Sequence, residues 1–120
     1  MDKMQALNSF WNGFGIKAYD ENTVTDEAQL PYITYGASND NFDEPVMQTA
    51  NIWDYSKSWA LVTAKEKQIS DFISRGGKMI PYDGGAIWIR KGNPWAQRLS
   101  DGSNDMIRRI VLNVVIEFLD

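Results

Sequence analysis

The side chains that could do chemistry in this chain are carboxylates, lysines, arginines, hydroxyls and aromatic rings, because its 120 residues include no cysteine and no histidine. Without cysteine there is no disulfide, no thiol nucleophile and no thiolate ligand for zinc or an iron–sulfur cluster. Without histidine the commonest general base near neutral pH and the commonest transition-metal ligand are gone as well. Carboxylates are the remaining route to acid–base or metal chemistry. Asp40, Asp43 and Glu44 cluster in one polar stretch, and Asp101 and Asp105 in another. A glycosidase needs two carboxylates facing each other across a cleft, which spacing along the chain does not supply. The run Asp101-Gly102-Ser103-Asn104-Asp105 begins like a calcium loop. Its sixth position is Met106 rather than glycine, however, and no glutamate stands at the twelfth. Gly76-Gly77 and Gly84-Gly85 lack the lysine and Ser/Thr spacing of a phosphate-binding loop, and read as a helix stop and a hairpin turn. We therefore expect neither an enzyme nor a bound cofactor or metal.

Five tryptophans are a heavy aromatic load for this length. Trp11 and Trp59 fall on apolar positions of helical spacing and read as core. Trp53 and Trp88 lie in strand-like runs, and Trp95 sits in Gly92-Asn93-Pro94-Trp95-Ala96, a loop by composition. Such rings stack on sugars or bases, anchor interfaces, or fill cores. Arg90, Lys91, Arg98, Arg108 and Arg109 form the main basic group. The pI near 4.7 argues against sequence-specific nucleic-acid binding, although a pore lined by some of these bases is compatible with it. The net charge of −4 is unevenly placed. Residues 1–60 hold three basic against nine acidic residues, and residues 61–120 hold nine against seven. Two halves of opposite sign can meet head to tail in a ring or stack.

The elements that position these groups are legible from periodicity. Met4, Leu7, Trp11 and Phe14 follow helical spacing, with Gly13 and Gly15 as the stop. Leu30–Gly36 and Pro45–Tyr55 read as a pair of strands around a loop at 37–44. A second helix begins near Ser56 or Ser58 as cap, carries Trp59, Val62, Ile69, Phe72 and Ile73, and stops at Arg75-Gly76-Gly77. Residues 78–82 and 86–91 form a hairpin around Asp83-Gly84-Gly85, with Pro81 marking an edge strand. Residues 92–105 read as a long loop. In the final strand Ile110, Leu112, Val114, Ile116 and Phe118 require a buried face, while Val111 and Val115 leave the second face half apolar. These elements predict one domain over 1–120. Its class is α+β, with a mostly antiparallel sheet of about four to five strands and two helices packed on one face. No apolar run is long enough to span a bilayer, and the start of the chain lacks a secretion signal, so use without export is expected.

The order and character of these segments resemble the small tail-terminator or tail-completion proteins of long-tailed bacteriophages. The resemblance rests on the short leading helix before Leu30-Pro31-Tyr32-Ile33-Thr34-Tyr35 and on Asn51-Ile52-Trp53-Asp54-Tyr55-Ser56. It rests further on the helix ending in Gly-Gly, and on Ile87-Trp88-Ile89-Arg90-Lys91-Gly92-Asn93-Pro94-Trp95-Ala96-Gln97 ahead of an acidic turn and a long last strand. It implies a homo-hexameric ring that caps the head-proximal end of the tail tube, stops its polymerisation and docks the head-completion or neck connector. The genome could then pass through the ring lumen, and the location would be the virion tail. Another neck component, such as a head-closure or head–tail joining protein, shares this profile. From a different class, a carbohydrate-binding module would use Trp53, Trp88 and Trp95 as a platform. For the ring, Arg108 and Arg109 are expected to pair with a neighbour's Asp40, Asp43 or Glu44, with Trp95, Trp53 and Lys91 as further contacts.

Overall fold

The computed structural model describes residues 1–36, 45–100 and 102–120. Helix α1 spans Lys3–Trp11 and continues as a 3-10 turn, Asn12–Phe14; strands β1, Lys17–Asp20, and β2, Tyr32–Tyr35, follow. Then come β3, Val46–Tyr55; helix α2, Ala60–Ile73; and β4, Lys78–Tyr82, β5, Gly85–Ser100, and β6, Ile107–Leu119. The strands form one sheet in the order β1-β2-β3-β6-β5-β4. The β1–β2 pair is parallel and the other four are antiparallel. The class is α+β as expected, with six strands rather than four or five.

Helix α1 starts on a complete capping box: Gln5 N–H donates to Asp2 Oδ1 and Asp2 N–H to Gln5 Oε1. Its 3-10 extension ends where Gly15 takes a left-handed φ of 85°. Helix α2 has Trp59 at its N-cap position, one residue beyond the expected serines. Ser58 still accepts from the Ala60 N–H through Oγ, and Ser56 Oγ accepts from the Ser58 N–H. Helix α2 stops at Ile73, before the glycines, with Ser74 at φ 61°. Gly77 turns the chain into β4 at φ 88°, where an added Cβ would lie 2.7 Å from Ile89 O. Arg75 therefore lies past the helix rather than in its last turn.

Two sequence expectations are corrected. The strand β1 comes from Lys17-Ala18-Tyr19-Asp20, too short to show a period, and joins β2 through the polar stretch 21–31. Residues 92–100 are not loop. They continue β5 past a bulge in which Gly92–Trp95 stand against Asn113 alone, between the pairs Lys91–Val114 and Ala96–Leu112. Asn113 donates through Nδ2 to Pro94 O at 2.9 Å, so β6 itself holds the bulge. Gly, Asn and Pro resemble a loop locally, but the ladder to β6 resumes beyond them.

The core lies between the sheet and both helices. Ala6, Leu7, Phe10 and Trp11 of α1 and Val62, Ile69 and Ile73 of α2 are buried in one cluster with Ile33, Ile52, Ile87, Ile89 and the inward set of β6. That set is Ile110, Leu112, Val114, Ile116 and Phe118, all buried as their alternation requires. Phe72, placed in the core by spacing, stays 44% exposed and packs at the rim on Phe10 and Phe14.

Both outer strands of the sheet are protected. On β1, Ala18 N–H donates to Asn12 Oδ1 at 2.9 Å, and Asn12 Nδ2 donates to Ala18 O at 3.3 Å. On β4, Pro81 has no N–H to offer, in agreement with the edge position read from sequence.

Leu112→Ala should lower unfolding free energy by about 2–5 kcal/mol, and Val111→Ala by clearly less, because only the first opens a cavity in the core. Urea melts of both variants check this. Equal losses would mean that the second face of β6 is as tightly packed as the first.

Candidate functional site

The face of the sheet turned away from the helices has no helix over it among the described residues. Strand register places Lys17, Tyr32, Trp53, Arg109 and Leu99 in one row across it, with Tyr19, Met47, Tyr55, Trp88, Arg90 and Met79 around them. Met47, Tyr55, Met79 and Leu99 are among the exposed large apolar residues of the chain, at 55%, 56%, 49% and 38%. Such residues grouped on one face mark an interaction surface more than the same residues scattered singly. The charge of this face is also unlike that of the chain. On this side its strands present Lys17, Arg90 and Arg109 against one carboxylate, Glu117, within a chain of net charge −4.

The ring and guanidinium groups here are pre-positioned. Trp53 Nε1 donates to Thr34 Oγ1 at 2.9 Å, and Arg109 Cζ stacks 4.7 Å from the Trp53 ring. Arg109 Nε donates to Asn51 Oδ1 at 2.8 Å, and Asn51 is buried. The Tyr19 and Tyr32 rings meet edge to face at 5.7 Å. At the other end, Arg90 Cζ lies 3.8 Å from the Trp88 ring while its Nη2 pairs with Glu117 Oε1 at 3.2 Å. A planar cation fixed against a ring and a neighbouring acceptor loses little rotamer freedom on binding a partner.

The sequence-derived interface set does not gather on this face. Trp53 and Arg109 lie on it. Arg108, one residue earlier, points to the helix side: its Nη1 donates to Asp105 O at 2.7 Å and its Nη2 to Lys57 O at 3.0 Å. It ties β6 to the β3–α2 connection of the same chain. Trp95 is in a strand rather than a loop. It packs half-buried against the core, and Nε1 donates to Glu66 Oε1 of α2 at 2.7 Å. Lys91 lies beside it, Nζ 5.7 Å from the Trp95 ring. Asp40, Asp43 and Glu44 lie outside the described residues. Trp53, Trp88 and Trp95 therefore form no common platform, since the sheet separates the last from the first two. Sequence reading gave no individual role to Asn12, Asn51, Arg90 or Glu117. Their polar roles depend on register between strands, which no local spacing shows.

A cleft of about 530 Å3 lies beside the start of α1, lined by Asp2, Lys3, Met4, Tyr82, Asp83 and Asp120. Lys3 Nζ pairs with Asp120 Oδ2 at 2.7 Å, and the Tyr82 hydroxyl donates to the same carboxylate. Lys3 and then Tyr82 hold the Asp120 carboxyl below its usual range. Burial, aided by Asp120, pushes the Tyr82 phenol up to about 12. Both shifts move these two groups away from neutrality, so neither is poised to exchange a proton there. Among the described residues no three carboxylates gather as a metal site, and no helix is long and apolar enough to cross a membrane.

Trp95→Ala should cost about 2–4 kcal/mol in a urea melt, as for a ring packed on a core and bonded to α2. A change within about 0.5 kcal/mol would restore Trp95 to an exposed loop. Comparison with protein-family models, with curated proteins and with solved structures finds no match to this chain.

Proposed function

We propose that this protein works by binding other protein subunits, as the ring that caps the head-proximal end of a bacteriophage tail tube. In this reading the ring stops tube polymerisation and presents a docking surface to the neck connector. The observation that carries the binding role is the open sheet face, where apolar side chains and stacked arginines share a surface that no helix covers among the described residues. The tail-terminator assignment adds the order of elements on which the sequence resemblance rests. The mechanism is geometric. Identical heterologous contacts close into a ring when the rotation between subunits divides a circle. One ring face then matches the last tube layer and the other does not, so addition of tube subunits stops.

Arg109 is the arginine offered to a neighbour, since it lies on the open face, whereas Arg108 lies on the helix side bonded to Asp105 O and Lys57 O. Light scattering after size exclusion, alone and with purified tail-tube protein, should find a closed oligomer of about six chains. Arg109→Glu with Met47→Asp should abolish it without unfolding the chain, because both side chains lie on the open face. A wild-type chain that stays monomeric in both conditions would remove the ring reading. A head-closure or joining protein would instead assemble with connector and not with tube.

A further inference from the structure

Strand β5 has 16 residues, and β4 pairs only with its first five, Gly85–Ile89. Beyond the bulge, Ala96–Ser100 pair with β6 on one side and with no strand on the other among the described residues. This stretch of sheet edge has neither the Asn12 amide of β1 nor the proline of β4.

The direction of its backbone groups follows from register. Tyr82 and Gly85 close a two-residue turn and form a hydrogen-bonded pair, so Ala86, Trp88 and Arg90 point their N–H and C=O to β6. Their partners Leu119, Glu117 and Val115 point to β5, and along the unbroken β6 so do Asn113, Val111 and Arg109. Gln97 and Leu99, opposite Val111 and Arg109, therefore face β6. Ala96, Arg98 and Ser100 face outward. The far side of the sheet agrees: Gly36 N–H donates to Thr49 O, so Thr49 faces β2 and Ala50, opposite Leu112, faces β6.

The surroundings of this edge are basic. Arg98 and Arg108 both stack on Trp59, with Cζ at 4.7 and 5.3 Å from the ring, and Lys91 lies just before the bulge. None of the three has a carboxylate partner within 4.0 Å among the described residues. A cleft of about 230 Å3 opens beside the strand towards α2, lined by Thr63, Glu66, Ala96, Gln97, Arg98 and Ile110. Glu66, its one carboxylate, is held by Trp95.

We propose that the Ala96–Ser100 edge accepts an extended, acidic segment of another polypeptide as an added strand. Main-chain bonds to Ala96, Arg98 and Ser100 supply affinity, and carboxylates on the side towards α2 meet Arg98 and Lys91. The same edge of a second copy fits poorly, because antiparallel pairing about a twofold axis sets Arg98 against its own equivalent. The inference does not depend on ring closure.

The test is amide exchange by NMR on the full 15N-labelled chain, with the peptide Thr-Glu-Val-Glu-Val-Glu-Thr and its counterpart carrying lysine for glutamate. The Arg98 and Ser100 amides should exchange fast in the free chain and slow about tenfold or more with the acidic peptide only. Ser100→Pro, which removes an outward N–H and spares the β6 ladder, should weaken peptide binding about tenfold with the rest of the spectrum unchanged. If Ser100→Pro unfolds the chain, Arg98→Glu serves instead and should reverse the preference between the peptides. The proposal is overturned if these amides are already protected in dilute free chain. It is also overturned if protection rises with protein concentration alone, which means self-pairing, or if the acidic peptide leaves the amides unchanged or acts no better than the lysine one.

Discussion

The fold depends on the one-sided burial of β6. This strand lies between β3 and β5, and its inward set is apolar at every position from Ile110 to Phe118. Because side chains alternate, that set can be buried only if both helices pack on one side of the sheet, and a one-residue slip would turn it to solvent. Helix α1 meets this side near β1, β4 and β5, and α2 near β3, β5 and β6. The opposite face follows as a consequence. With both helices committed, Val111, Val115, Trp53 and Trp88 remain at the surface or half-buried by one another.

Polar groups complete the architecture where apolar packing cannot. The Asn12 amide occupies both main-chain groups of Ala18 on β1, and Asn113 holds the bulge through Pro94 O. Arg108 bridges three parts of the chain near Trp59. A backbone group left unpaired costs more than a typical hydrogen bond contributes, which explains why single amide side chains govern where the sheet ends and bends. The arginines and tryptophans are matched in the same sparing way. Four rings, Trp53, Trp59, Trp88 and Trp95, each carry a cation over a face, and this fixes long side chains at the surface without a carboxylate for most of them.

Among the described residues, an uncovered sheet face and an unpaired length of β5 are unusual together in a chain that protects both outer strands. Natural sheets protect edges because a free row of N–H and C=O groups recruits other strands. Here the protection stops where basic side chains begin, and the face next to it combines apolar and cationic groups. Both features are of the kind through which proteins recruit other polypeptides.

Much of this was legible in the sequence, because burial leaves a period. The 3.6-residue spacing of α1 and α2, the alternation of β6, the pairing of β2 with β3, and Pro81 at an edge are local signals, and the structure repeats them. The missing cysteines and histidines likewise restrict chemistry whatever the fold. What only the tertiary structure decided are matters of register and side. Lys17-Ala18-Tyr19-Asp20 is too short to have a period, and becomes a strand only because β2 lies beside it and Asn12 closes its edge. Gly92-Asn93-Pro94-Trp95 reads as loop, yet β6 is long enough to recover the ladder at Ala96. Arg108 and Arg109 are neighbours in sequence and stand on opposite faces, one bonded to Asp105 O and Lys57 O, the other to Asn51 and stacked on Trp53. Sequence records how often a residue is apolar or charged; which side of a sheet it ends on depends on partners brought from tens of residues away.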